Sequence, residues 1–174
     1  MSRSSGDLTR RKLNEAEGYL DLGLPRHALQ ILESRSDWPS LNFEACLIKG
    51  ESLRRLEQFR DAIGPLETAA SLRPGDTRVA LALGWCYKRT SRLAQAIDSL
   101  ERARRHHPDN PLLHYNLACY WSLAGNATRA LGELHAALRL DPDLRARLAD
   151  EPDFRLLRGN PDFDQLALGS APRT

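Results

Sequence analysis

A chain of 174 residues, 41% apolar and 28% charged, is long enough for one domain with a continuous core. Its net charge of +2 excludes wholesale attraction to nucleic acid, and no apolar run approaches the roughly 18 residues needed to cross a bilayer. Cys46, Cys86 and Cys119 form no CxxC pair and no disulfide framework, so they read as buried free thiols of a protein from a reducing compartment, the cytoplasm.

Residues 1–7, with their Ser, Arg and Gly, are expected to fray, and MSRSSGDLTRRK has no apolar segment of a secretory signal. The first helix is expected from about Leu8 to Leu22. Gly23 supplies a left-handed stop, and Pro25 opens the next helix where its missing N–H costs nothing. SDWPS, at 36–40, reads as a longer connector with Trp38 sealing the joint that follows. Gly64-Pro65 falls inside the next second helix, so that helix either starts late, near Asp61, or bends. Asp76 is placed to cap a helix in which Ala80, Leu83, Gly84 and Tyr87 form one apolar stripe. Ala96, Ile97, Leu100 and Ala103 form the next stripe, and His106 and His107 end that helix where they complement its negative terminus. Adjacent histidines point to different sides of a helix, so no metal site is expected of them. Pro111 then opens a helix, Gly125-Asn126 makes a hairpin, and the pattern changes after Pro142. Glu151-Pro152-Asp153-Phe154 and Asn160-Pro161-Asp162-Phe163 lie nine residues apart, and Phe154 and Phe163 are expected to be buried.

Positions recur along this series at a step of 34: Ala28, Ala62, Ala96 and Ala130; Ala16, Gly50, Gly84 and Ala118; Pro74, Pro108 and Pro142. Small residues at these positions let paired helices approach closely, and no single pair can bury its own stripe, so the pairs must stack.

Gly84, Tyr87, Ala96, Leu100, Ala103 and Pro108, with Leu83 before them, resemble the signature of the tetratricopeptide repeat, a helix-turn-helix unit. The resemblance implies an all-α, right-handed α-solenoid with units at 9–42, 43–76, 77–110 and 111–144, within a repeat region of 8–144. A C-terminal cap with a capping helix follows at 145–167, and residues 168–174 are expected to be disordered. The first unit departs most from the pattern, with Arg35 and Ser40 where a small residue and proline are usual.

The same resemblance assigns the concave side to the first helix of each unit. In the first unit its positions are Arg10, Leu13, Asn14, Glu17, Leu20 and Asp21, and in the second Glu44, Leu47, Ile48, Glu51, Arg54 and Arg55. From these and the later units, Arg54, Arg55, Arg78, Trp85, Lys88, Arg89, Tyr115 and Asn116 are selected as the ligand groove, because tryptophan, tyrosine and arginine dominate interface energetics. A cationic, aromatic trough suits an extended peptide with acidic and apolar residues. The carboxylate clamp of some such proteins would place its residues at Leu47, Glu51, Ala82, Leu112 and Asn116, and none matches. One unit earlier, only Arg78 could serve.

No G-x-S-x-G, Walker-type loop, H-E-x-x-H or G-x-G-x-x-G occurs. The sequence therefore predicts a non-enzymatic adaptor for a protein or peptide partner, with no cofactor, no metal and no membrane. The alternatives are a self-association module and a weak nucleic-acid binder using the local basic patch.

Overall fold

A computed structural model describes residues 2–34 and 42–169, with side chains from residue 6 onward. Trp38 and its expected seal lie outside the described residues, as does 170–174. Two compact units divide the chain, residues 1–92 and 93–174. Among the described residues there are helices and turns and no strand.

The first unit holds α1 (Ser2–Asp21), α2 (Pro25–Glu33), α3 (Phe43–Arg55), α4 (Phe59–Leu72) and α5 (Thr77–Arg89). Consecutive helices pack on one another, and α3 also touches α1 and α5. Small residues set the approach. A Cβ added to Gly50 of α3 would lie 2.4 Å from Cγ of Leu66 on α4, so at that crossing only glycine fits. Ala16, Ala28, Ala62 and Ala69 have no exposed surface, with Leu32 and Leu66 filling the space beside them. The second unit repeats this with α6 (Leu93–His106), α7 (Pro111–Leu123) and α8 (Ala127–Leu140), where Ala96, Ala118, Ala130, Leu100 and Leu134 are fully buried.

The turn between paired helices is the same each time. Gly23, Glu57, Ser91 and Gly125 all adopt a left-handed backbone, with φ of 73°, 60°, 62° and 74°, and they stand one period apart. The N–H of the following residue closes each turn on a carbonyl five back: Leu24 on Tyr19, Gln58 on Leu53, Arg92 on Tyr87 and Asn126 on Trp121, at 2.8–2.9 Å. This is the bond pattern that ends a helix through a left-handed residue. Helix starts repeat too. Asn42, Asp76, Asn110 and Asn126 accept from backbone N–H groups of the first turn with their side chains.

Three local expectations change. The helix α1 begins at Ser2 rather than near Leu8; the stretch holds no proline, and Gly6, its weakest helix former, costs only about 1 kcal/mol. The helix α4 begins at Phe59, ahead of Asp61, and runs through Pro65. The carbonyl that proline leaves without a helical donor is that of Asp61, a residue standing in solvent. The tail is ordered differently from a helix followed by a turn. Two 3-10 helices come first, Pro142–Arg147 and Pro152–Leu157, and α9 (Pro161–Leu168) comes last. Each is opened by the same device: Asp141, Glu151 and Asn160 precede a proline and accept from the N–H of the aspartate after it. The next residue is buried each time, Leu144, Phe154 and Phe163. Burial of both phenylalanines matches the sequence expectation.

Candidate functional site

In the first unit, the faces of α1, α3 and α5 enclose an open cleft of about 400 Å³. Arg10, Leu13, Asn14 and Glu17 line it from α1 at i, i+3, i+4 and i+7, one face of a helix. Glu44, Leu47 and Ile48 line it from α3 with the same spacing, and Arg78 from α5. Every one is a position that the repeat resemblance assigns to the concave side. The floor is apolar where Leu47 and Ile48 sit almost wholly buried, and the rim carries both signs of charge.

The charges of Glu44 and Arg78 are held. Arg73 reaches Glu44 at 2.6 Å while its guanidinium covers the Phe43 ring at 3.9 Å. Arg78, exposed, stands 3.6 Å from the carboxylate of its cap, Asp76. On the same face of α5, seven residues further on, Trp85 remains 38% exposed with the Lys88 ammonium 4.6 Å from its ring centre.

The residues selected from sequence do not form one free cationic trough. Arg54 makes a 2.8 Å ion pair with Glu51. Arg55 donates to the backbone carbonyl of Leu20, and Arg89 lies 4.9 Å over the Phe59 ring. These side chains serve their own unit first. Behind them Cys86 is buried; desolvation pushes its thiol up to about 11, with Arg54 pulling it down and Glu51 reinforcing the rise. Tyr115 and Asn116 belong to the second unit. Asn116 donates to the Leu112 carbonyl of its own helix at 2.8 Å. Tyr115 is 5% exposed, with Phe154 of the tail edge-on to its ring at 5.7 Å. It is a covered side chain, not an open ligand surface, because the tail, expected to bury Phe154 against the fourth unit, does so over Tyr115 itself.

The repeat resemblance puts Arg10, Asn14, Glu17 and Glu44 on the concave side, but only Arg78 and Trp85 of this face are selected for the groove. Composition could not have selected these, since charges on a helix are usually solvated; the concave positions of the repeat did mark them. Sequence reasoning also gave His114 no role. That ring is buried, with Nδ1 2.6 Å from Glu133 and Nε2 2.7 Å from the Pro108 carbonyl, fixing the start of α7 to α8.

Residues 53–118 match the tetratricopeptide repeat family model. Residues 53–118 thus carry tetratricopeptide repeats. The fold is the all-α solenoid class of that repeat, and solved structures of the repeat protein MamA share it. MamA 41-end from Desulfovibrio magneticus RS-1 superposes with a TM-score of 0.76 at 18% identity, covering 91% of this chain and 89% of that one. MamA from AMB-1 gives 0.66 at 24% identity, over 75% and 76% of the two chains. MamA from MSR-1 gives 0.70 at 19% identity, over 89% and 92%. No curated protein sequence matches significantly. Repeats of this kind are protein-protein interaction or assembly modules, and no described helix is long and apolar enough to cross a membrane.

Proposed function

We propose that this protein is an adaptor that holds an extended segment of another protein along the first-helix faces of residues 1–92. The observation that carries this is the cleft most of whose lining residues fall on the concave repeat positions of α1 and α3 and which reaches Arg78; Gly6, Thr9 and Asn42 complete its lining. Apolar side chains of the bound segment lie over Leu13, Leu47 and Ile48. An acidic residue pairs with Arg78, and Trp85, on the same face of α5, supplies an aromatic anchor. Such anchors are worth about 2 kcal/mol or more at an interface, roughly thirtyfold in affinity.

The test compares partners retained from native extract by the wild type and by Trp85→Ala and Arg78→Glu. Both side chains are exposed, so the fold tolerates the change. Loss of a partner from both variants, followed by affinities at least about tenfold weaker with the purified partner, is expected. Equal affinity with unchanged helicity would end the proposal.

A second reading is self-association. Leu8, Leu22 and Leu24 in the first helix pair, and Leu156 and Leu168 in the tail, are exposed at 41–80%, apolar surface that a second copy could cover. Light scattering decides it: a mass that rises with concentration and falls in Leu156→Asp and Leu168→Asp supports assembly, and a constant monomer dismisses it.

A further inference from the structure

The helix α7 turns Tyr115, Cys119 and Ser122 to one side at i, i+4 and i+7. The second 3-10 helix of the tail lies against α7. Two contacts fix its position. The Ser122 hydroxyl donates to the backbone carbonyl of Asp153 at 2.7 Å, and Phe154 is fully buried beside the Tyr115 ring. The outcome is a juxtaposition that sequence separation hides: Cys119 Sγ and one carboxylate oxygen each from Glu151 and Asp153 lie within 4.8 Å of one another. Cys119 is 3% exposed and Asp153 is 9% exposed.

A separate observation points into this group. The Tyr115 hydroxyl is buried and makes no hydrogen bond among the described residues, which is rare for a polar atom inside a protein. Tyr115 stands one helical turn before Cys119 on α7, and its ring meets Phe154, the residue that follows Asp153. The polar atom without a partner therefore lies on the side of α7 that carries the three potential ligands.

We propose that Cys119, Glu151 and Asp153 bind a divalent transition metal of the zinc class, with the Tyr115 hydroxyl completing the polar shell. Around a tetrahedral zinc at ordinary bond lengths, neighbouring sulfur and oxygen ligands stand about 3.5 Å apart. The three atoms need to close by about an ångström, within reach of side-chain torsions. A thiolate with two carboxylates selects a borderline metal, because magnesium and calcium take oxygen ligands and leave thiols alone. Binding sends the Cys119 proton to solvent and forms a metal–sulfur bond, with no change in oxidation state. It joins α7 to the tail and favours the conformation in which the tail covers that helix.

The experiment titrates the full chain, first stripped with chelator, with Co²⁺ alone and then displaces it with Zn²⁺. The expected result is a thiolate-to-cobalt charge-transfer band reaching one metal per chain and a raised melting temperature. Cys86→Ser, which removes a buried thiol of the first unit, keeps the band. Cys119→Ser loses it. Glu151→Gln keeps an oxygen for the Asp153 N–H, so it holds the apo fold, and weakens Co²⁺ binding at least about tenfold. No band in the wild type, a band that survives Cys119→Ser, or a Glu151→Gln titration equal to wild type would overturn the proposal.

Discussion

The helices α1 and α7 occupy the same place in their repeats and end in opposite circumstances. Side chains at matching positions of α1 line an open cleft, while Tyr115 and Cys119 of α7 lie under the tail. The difference is already in composition. The helix α7, PLLHYNLACYWSL, contains no Lys, Arg, Asp or Glu, and its buried residues run nearly without interruption from Leu113 to Tyr120. By contrast α1 is charged along most of its length and buries Ala16 and Leu20. A helix apolar all round must be covered all round. The repeat fixes which face is concave, and the segments that follow decide whether that face stays open.

Breaking the cover should therefore cost as much as breaking the core. Phe154→Ala removes a ring with no exposed surface that touches both Tyr115 and Phe163, and is expected to destabilise the protein by about 3–5 kcal/mol. Chemical denaturation measures it. A loss under about 1 kcal/mol would mean that the tail leans on α7 without sealing it. The same experiment on Trp85, 38% exposed, should change stability by no more than about 0.5 kcal/mol, which separates a covered aromatic from a displayed one.

These two aromatics also mark how far the sequence could be read. Periodicity places Phe154, because a Pro-Asp-Phe theme has no reason to recur unless its ring is buried, and it places Trp85 on a first-helix face. It could not find that a third copy, Asp141-Pro142-Asp143-Leu144, opens the tail, since leucine replaces phenylalanine there. Nor could it pair Cys119 with Glu151 and Asp153, because the intervening helix returns the chain by packing that no local signal encodes. Arg54, Arg55 and Arg89 illustrate the converse. Residue type suggested a ligand surface, whereas in the fold a carboxylate, a carbonyl and an aromatic ring already engage them.

Within the open unit, the crossing of α3 and α4 is the place where a small change is felt most. Gly50→Ala puts a methyl group 2.4 Å from Leu66 Cγ and 2.6 Å from its Cδ2, so the leucine must leave its place or the helices must part. A loss of about 1–3 kcal/mol is expected. Pairing it with Leu66→Ala tests the cause. The double variant should lose less than the sum of the two single losses, as coupling between contacting residues requires; strict additivity would place the strain elsewhere.

The smallest effect distinguishes the turns, which are alike in both units but differently made. Gly125 sits at a left-handed φ with nothing within 4 Å of an added Cβ, so Gly125→Ala tests backbone strain alone. Ser91 and Glu57 hold the same conformation with side chains attached. A left-handed residue other than glycine costs about 1–2 kcal/mol, and replacing it by glycine returns that while loosening the unfolded chain by about 0.4–1 kcal/mol. The remainder favours glycine by about 0.5–1 kcal/mol at each site. Ser91→Gly and Glu57→Gly should therefore raise the melting temperature by a few degrees, and Gly125→Ala should lower it by a similar amount. Opposite signs at turns with identical hydrogen bonds would isolate the side chain as the cause, because the closing bonds from Arg92 to Tyr87 and from Asn126 to Trp121 are unchanged. If Ser91→Gly is instead destabilising, the serine side chain contributes more to its turn than the strain of its backbone removes.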